Sequence, residues 1–217
     1  MNITIKQKDT KLTQDFQASS AFLTLPTDNS FDSQAKRTLW HNLHPIQRAL
    51  LATDGSMTLL LAALHKETIK TKLIAQKQSR AVQAHEPLQL EKGTPLLERT
   101  VLLMAAESNR PVTYAESTIV LSRLSAAMRR DLAKGAKPIG LLLRREALET
   151  HRTLQNWGVC PAPDAAKEIF RGASLLFRTY QIIARAVPIM IISEYFPYLH
   201  NNEGGHYEGE NAKTTST

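Results

Sequence analysis

Apolar positions along this chain change period several times, and the changes divide it into elements. Behind Pro45, whose fixed φ suits a first helical turn, Ile46, Ala49, Leu50 and Thr53 recur at helical spacing. Asp54-Gly55-Ser56-Met57-Thr58 interrupts that pattern, and residues 59–64 predict a second helix with Ser56 or Thr58 as its N-cap. Over residues 68–78 the period becomes two, with Ile69, Thr71, Leu73 and Ala75 alternating against Lys70 and Lys72, as in a half-exposed antiparallel strand. Two β-rich runs, 96–104 and 112–120, flank a polar turn at Glu107-Ser108-Asn109-Arg110-Pro111 and read as a hairpin. Ser125 opens a helix that turns Met128 and Leu132 inward and stops at Gly135; residues 137–143 form a further helical segment. Residues 148–157 return as a strand, 161–172 connect with one helical turn, and 174–186 with 188–196 make a second hairpin turning near Ala186-Val187. The expected organisation is a polar arm over residues 1–35, one α+β domain over 36–199 and a disordered tail over 200–217.

Two charges break the apolar pattern. In a strand, Arg99 shares a face with Leu97, Val101 and Leu103. Near the C-terminal end, Glu194 shares a face with Met190, Ile192 and Phe196, and the opposite face carries Ile189, Ile191 and Tyr195. A charge embedded among apolar side chains needs a partner. Alternation alone leaves two readings open: an internal Arg99–Glu194 ion pair, or two poles of one cavity that holds an amphipathic acid.

Composition narrows the function classes. The chain has 217 residues, 27 of them basic and 20 acidic, for a net charge of +7 and a pI near 9.6. The basic residues are dispersed with few aromatics among them, which favours a small anion over nucleic acid. Cys160 is the single cysteine, which excludes an intrachain disulfide and a multi-cysteine zinc site and suits a reducing, cytoplasmic compartment. It has no local His-Asp setting for a nucleophile. No apolar run is long enough to span a bilayer, the stretch 189–192 included, and the first thirty residues lack a signal-peptide core. His41 and His44 lie three apart without a third ligand at a diagnostic spacing, so no metal site is expected; His65, His85 and His151 read as surface residues. Arg129, Arg130, Lys134 and Lys137 read as a solvated face that also steers anions, and Tyr114 and Tyr180 either line the cavity or pack, with packing the simpler reading.

Four segments occur in a particular order: Asp54-Gly55-Ser56-Met57-Thr58; Leu97-Glu98-Arg99-Thr100-Val101-Leu102-Leu103 followed by Pro111-Val112-Thr113-Tyr114-Ala115; Lys137-Pro138-Ile139-Gly140; and the stretch from Pro188 through Glu194 to Pro197. In that order they resemble the chorismate lyase (chorismate pyruvate-lyase) family, in the branch of cyanobacteria and mycobacteria, over roughly residues 40–198. The resemblance implies a six-stranded antiparallel sheet with helices packed over it, a fold shared with the UTRA-like effector-binding domains of bacterial transcription regulators. It also implies conversion of chorismate to 4-hydroxybenzoate and pyruvate without metal or organic cofactor, for quinone or phenolic-compound synthesis. Carried over by motif, Arg99 grips a carboxylate, Glu194 meets the ring hydroxyl, the backbone N–H of Met57 reaches the carboxylate, and the backbone at Ile139 lines the pocket. Leu141 departs from the enterobacterial pattern, which has an arginine there, and Arg144 and Arg145 are the neighbouring substitutes. A monomer is expected, without nucleic-acid partners. The rival readings are a non-catalytic effector-binding domain, for which the polar arm supplies no winged helix, and a chorismate-converting relative that yields an isomeric hydroxybenzoate.

Overall fold

The protein was analysed as a computed structural model, which describes residues 34–134 and 138–199. The polar arm except its last two residues, Gly135, Lys137 and the tail from residue 200 onward lie outside the described residues. Three short helices lead the described chain: α1 (Gln34–Asn42), α2 (Pro45–Ala52) and α3 (Met57–His65). They are followed by β1 (Ile69–Arg80), β2 (Pro95–Ala105), β3 (Arg110–Val120), α4 (Ala126–Ala133), α5 (Ile139–Arg145), β4 (Thr150–Pro161), α6 (Asp164–Lys167), β5 (Ser174–Ala184) and β6 (Val187–Pro197). The six strands form one antiparallel sheet in the order β1-β2-β3-β6-β5-β4. This is the α+β architecture expected from the sequence.

Local chemistry explains where the helices start. His44 caps α2 by accepting the Ile46 N–H on Nδ1 at 3.2 Å, and Gln47 reaches back to the His44 N–H at 3.1 Å. The helix therefore buries Gln47 with Leu50 and Leu51, a face rotated from the one that apolar spacing predicts. Ser56 caps α3 through the Leu59 N–H at 3.4 Å. Ser125 caps α4 through the Met128 N–H at 3.0 Å and donates to Glu146 Oε2 at 2.8 Å, which ties α4 to the end of α5. Removing this double contact in Ser125→Ala is expected to cost about 1 kcal/mol, seen as a Tm lowered by about 2–4 °C; an unchanged melt would show that the cap is dispensable.

Two departures from simple alternation matter. The β1–β2 register slips between Leu73 and Ala75, so Ile74 is an extra residue and Ala75 leaves the face shared by Ile69, Thr71 and Leu73. The β5–β6 hairpin turns at Arg185 and Ala186, with φ of 52° and 62°, one residue earlier than expected. Both sit in the left-handed region that a two-residue hairpin loop requires, although neither is glycine or asparagine. The adjoining strand pairing imposes a conformation that the turn residues alone do not signal.

On one face of the sheet, α4 and α5 cover a cluster that includes Leu97, Met128, Leu142, Ile182 and Met190. At the other end of the same face, α1 to α3 cover Leu51, Met57, Leu61, Leu103, Trp157 and Phe196. The two helical groups leave a gap over the centre of the sheet. On the reverse face, the α6 segment packs on Leu102, Tyr114 and Leu175, and residues 81–90 pack on Leu96 and Val120. Tyr114 belongs to this packing, as expected, and its hydroxyl donates to Glu116 at 2.8 Å.

Candidate active site

Register carries Arg99 into the gap between the two helical groups. Arg99 lies opposite Ser117, Ser117 opposite Ile192, and Ile192 opposite Tyr180. The next row runs Val101, Ala115, Glu194, Arg178. Directly opposed residues in antiparallel strands share a face, so Arg99, Glu194, Tyr180 and Arg178 all point under the helices. Arg99 is only 3% exposed, and burial lowers its guanidinium pKa.

Glu194 does have an ion pair, but its partner is Arg178, whose Nε donates to Oε2 at 2.8 Å. The Tyr180 hydroxyl donates to Oε1 at 3.1 Å, and the Arg178 guanidinium lies 4.6 Å from the Tyr180 ring centre. Burial is the largest single influence on Arg178 and works against its charge, but the Glu194 carboxylate and Tyr180 together outweigh it, so the pKa of Arg178 is raised. Burial, reinforced by the negative charge of Glu194, pushes the Tyr180 phenol well above its usual range. Tyr180 is thus part of the site and not only a packing residue, which corrects the sequence expectation. A tyrosine whose hydroxyl reaches a buried carboxylate is indistinguishable in sequence from one that fills space.

Arg99 and Glu194 line one cavity of about 70 Å³ with Thr71, Ser117, Tyr180 and Ile192. Its roof is made by the starts of two helices: Ser56, Met57 and Thr58 of α3, and Pro138, Ile139 and Gly140 at α5. All four sequence-selected residues, Arg99, Glu194, Met57 and Ile139, therefore meet at one cavity. Ser56, Thr58, Thr71 and Pro138 also line an outer groove of about 420 Å³, together with Lys70, Leu141 and Arg144. The inner space is well below the roughly 300 Å³ at which ligand pockets begin. Of the two arginines beside Leu141, Arg144 faces this groove, whereas Arg145 is paired with Asp131.

A further arginine, Arg152 at the start of β4, also lines the cavity. Its backbone N–H donates to Asp54 Oδ1 at 3.0 Å and its guanidinium to the Asp54 carbonyl. Arg178 donates in turn to the Thr53 carbonyl at 2.8 Å. Thr53 and Asp54, where the chain leaves α2 for the Asp-Gly-Ser-Met-Thr segment, thus hold two guanidinium groups through their backbone oxygens and the Asp54 carboxylate. Neither Arg178 nor Arg152 was singled out from the sequence. The signal for Arg178 was present, since it alternates with Leu176, Tyr180 and Ile182 as Arg99 does with its own neighbours. Arg152 gave no such signal, because His151 and Thr153 make β4 polar on both sides of it. Away from the cavity, burial raises the Cys160 thiol pKa, the opposite of what a nucleophile needs.

The family model described as chorismate pyruvate-lyase, Rv2949c-like, matches residues 51–202. The chain belongs to this family. Among its relatives, a chorismate pyruvate-lyase of Mycobacterium leprae is 29% identical over 161 residues, covering 69% of this chain and 72% of that protein. MJ0807 of Methanocaldococcus jannaschii is 30% identical over 157 residues, covering 69% and 77%. The effector domain of PhnF from Mycobacterium smegmatis has a similar fold, with a TM-score of 0.54 at 13% identity over 66% of this chain and 88% of that one. The part of the chain matched to the chorismate pyruvate-lyase family contains Met57, Arg99, Ile139, Arg152, Arg178 and Glu194. Among the described residues, no helix is long and apolar enough to cross a membrane.

Proposed function

We propose that the protein eliminates pyruvate from chorismate to give 4-hydroxybenzoate, with Arg99 binding the ring carboxylate and Glu194 the ring hydroxyl. The observation that supports this most is that Arg99 and Glu194 line one cavity while the carboxylate of Glu194 is already held by Arg178. Arg99, Arg152 and Arg178 stand in or directly behind the cavity wall against the carboxylates of Glu194 and Asp54, an excess of one positive charge. That balance suits an anion.

In the proposed reaction the ether bond between the ring and the enolpyruvyl oxygen breaks, and its electron pair leaves with that oxygen. The neighbouring ring carbon, which bears the hydroxyl, loses its proton, and the electrons of that C–H bond complete the aromatic ring. The enolpyruvate takes up one proton at its methylene carbon and becomes pyruvate. Atoms and charge balance without a redox partner, so the chemistry itself calls for no cofactor. Aromatisation supplies the driving force, and the site has to bind the anion, exclude water and accommodate charge moving onto the departing oxygen.

The side chains divide this work by geometry. Arg99 offers a fork that fits a carboxylate with two parallel hydrogen bonds, and the backbone N–H of Met57 at the start of α3 adds a donor. A carboxylate has about four acceptor positions. Arg178 and Tyr180 occupy two on Glu194, which leaves room for the ring hydroxyl. The backbone at Ile139 closes the roof.

Incubation of purified protein with chorismate is the direct test. Pyruvate release above the uncatalysed rate is expected, with 4-hydroxybenzoate as the chromatographed aromatic product. A different hydroxybenzoate would make the protein a chorismate-converting relative. No pyruvate, together with a small acid retained through purification, would make it an effector-binding domain.

A further inference from the structure

The geometry points to Arg152 as a second carboxylate-binding residue of the cavity, one that holds the side-arm carboxylate of a dianionic substrate and stabilises the leaving group. This inference rests on the reading of the site as one that takes chorismate. Chorismate carries one carboxylate on its ring and another on the enolpyruvyl arm, and Arg99 can satisfy only the first. The second carboxylate leaves with the oxygen that gains negative charge, so a fixed cation beside it favours the transition state over the bound substrate.

Position supports the assignment. Arg152 lies opposite Ile182, and both line the cavity. It is four strands from Arg99 in the sheet, which at about 4.8 Å per strand puts their backbones roughly 19 Å apart with Glu194 between them. Two extended arginine side chains reaching inward from those positions bracket a molecule the length of a substituted ring. The Arg152 guanidinium lies 6.0 Å from the centre of the Tyr180 ring, on the Glu194 side of the cavity, where an arm next to the ring hydroxyl must lie.

Its hydrogen bonding supports it further. The side chain is only 13% exposed, and Nη1 of its guanidinium is anchored on the Asp54 carbonyl, 3.5 Å from the half-exposed Asp54 carboxylate. Its Nε–H is buried and has no acceptor among the described residues. A buried donor without an acceptor is costly, and a ligand carboxylate supplies one. The tether to Asp54 holds the guanidinium in place before the substrate arrives, so little order has to be gained on binding.

Calorimetry with two aromatic acids tests this without turnover. The ligands are 4-hydroxybenzoate and the same molecule with a carboxymethoxy arm on the carbon beside the hydroxyl, which adds the second carboxylate. The wild type is expected to bind the dianion about ten- to a hundredfold more tightly, the range for a hydrogen bond to a charged group. Arg152→Gln should abolish that preference while changing 4-hydroxybenzoate affinity by less than about twofold. Arg152→Lys, which keeps the charge but loses the fork, should retain an intermediate preference and covers the case in which the glutamine variant misfolds. Parallel weakening of both ligands would reveal a purely structural residue and overturn the inference, as would a preference unchanged in the variants or absent from the wild type. A wild type that prefers the dianion yet releases no pyruvate from chorismate would instead overturn the catalytic reading and leave the Arg152 site standing.

Discussion

Arg178→Met is expected to lower the free energy of unfolding by about 3–5 kcal/mol, which appears as a Tm lowered by about 6–20 °C. The size follows from what remains behind. Arg178 is 2% exposed and Glu194 6%, so losing the guanidinium leaves a buried carboxylate that has lost its paired cation and keeps the Tyr180 hydroxyl as a hydrogen-bond donor. The Thr53 carbonyl loses its donor as well, which loosens the loop that carries Ser56 and Met57 into the cavity roof. The pair as a whole contributes far less than this loss suggests, because both ions were desolvated on folding. Adding Glu194→Leu to Arg178→Met should therefore restore most of the stability while leaving the protein inactive. Thermal melts of the two single variants and the double variant measure the coupling. A methionine variant that melts with the wild type would mean that the 2.8 Å contact is not formed in solution.

Arg99→Ala should reduce kcat/KM for chorismate by about a hundred- to a thousandfold, the range for truncating one partner of a buried charge-assisted contact. Affinity for 4-hydroxybenzoate should fall in step, because the product keeps the ring carboxylate that Arg99 is proposed to grip. Arg99→Lys should recover only part of the loss, since an ammonium group cannot make the two parallel hydrogen bonds of a guanidinium. Full activity in the alanine variant would remove Arg99 from the site. This effect differs in kind from that at Arg178, which acts on the fold and on the placement of Glu194. The contrast separates the residue proposed to meet the ligand from the one that supports the site.

Arg99 and Glu194 were legible in the sequence because a strand's period of two makes a charged residue among apolar neighbours conspicuous. Arg178 obeyed the same rule and was passed over. Arg152 lay beyond that rule: on an outer strand with polar neighbours, an arginine that turns toward the cavity reads like one that turns toward water. In the sequence Tyr180 reads as readily as a packing residue, because only its position opposite Ile192, two residues along β5 from Arg178, reveals the carboxylate within reach.

The chain by itself determined the order and kind of its elements, through apolar spacing, Pro45 and the capping serines at 56 and 125. It also determined that Arg99, Arg178 and Glu194 had to be buried, since each alternates with apolar neighbours. Which charge meets which was decided only by the tertiary structure. Sequence places Arg99 and Glu194 on equal terms as candidate partners, whereas the strand order puts β3 between β2 and β6 and sets β5 directly beside β6. The β5–β6 register then brings Arg178, not Phe177 or Thr179, opposite Glu194. Ion pairing depends on a few ångströms, and those ångströms come from strand neighbours and register, which are properties of contacts distant along the chain.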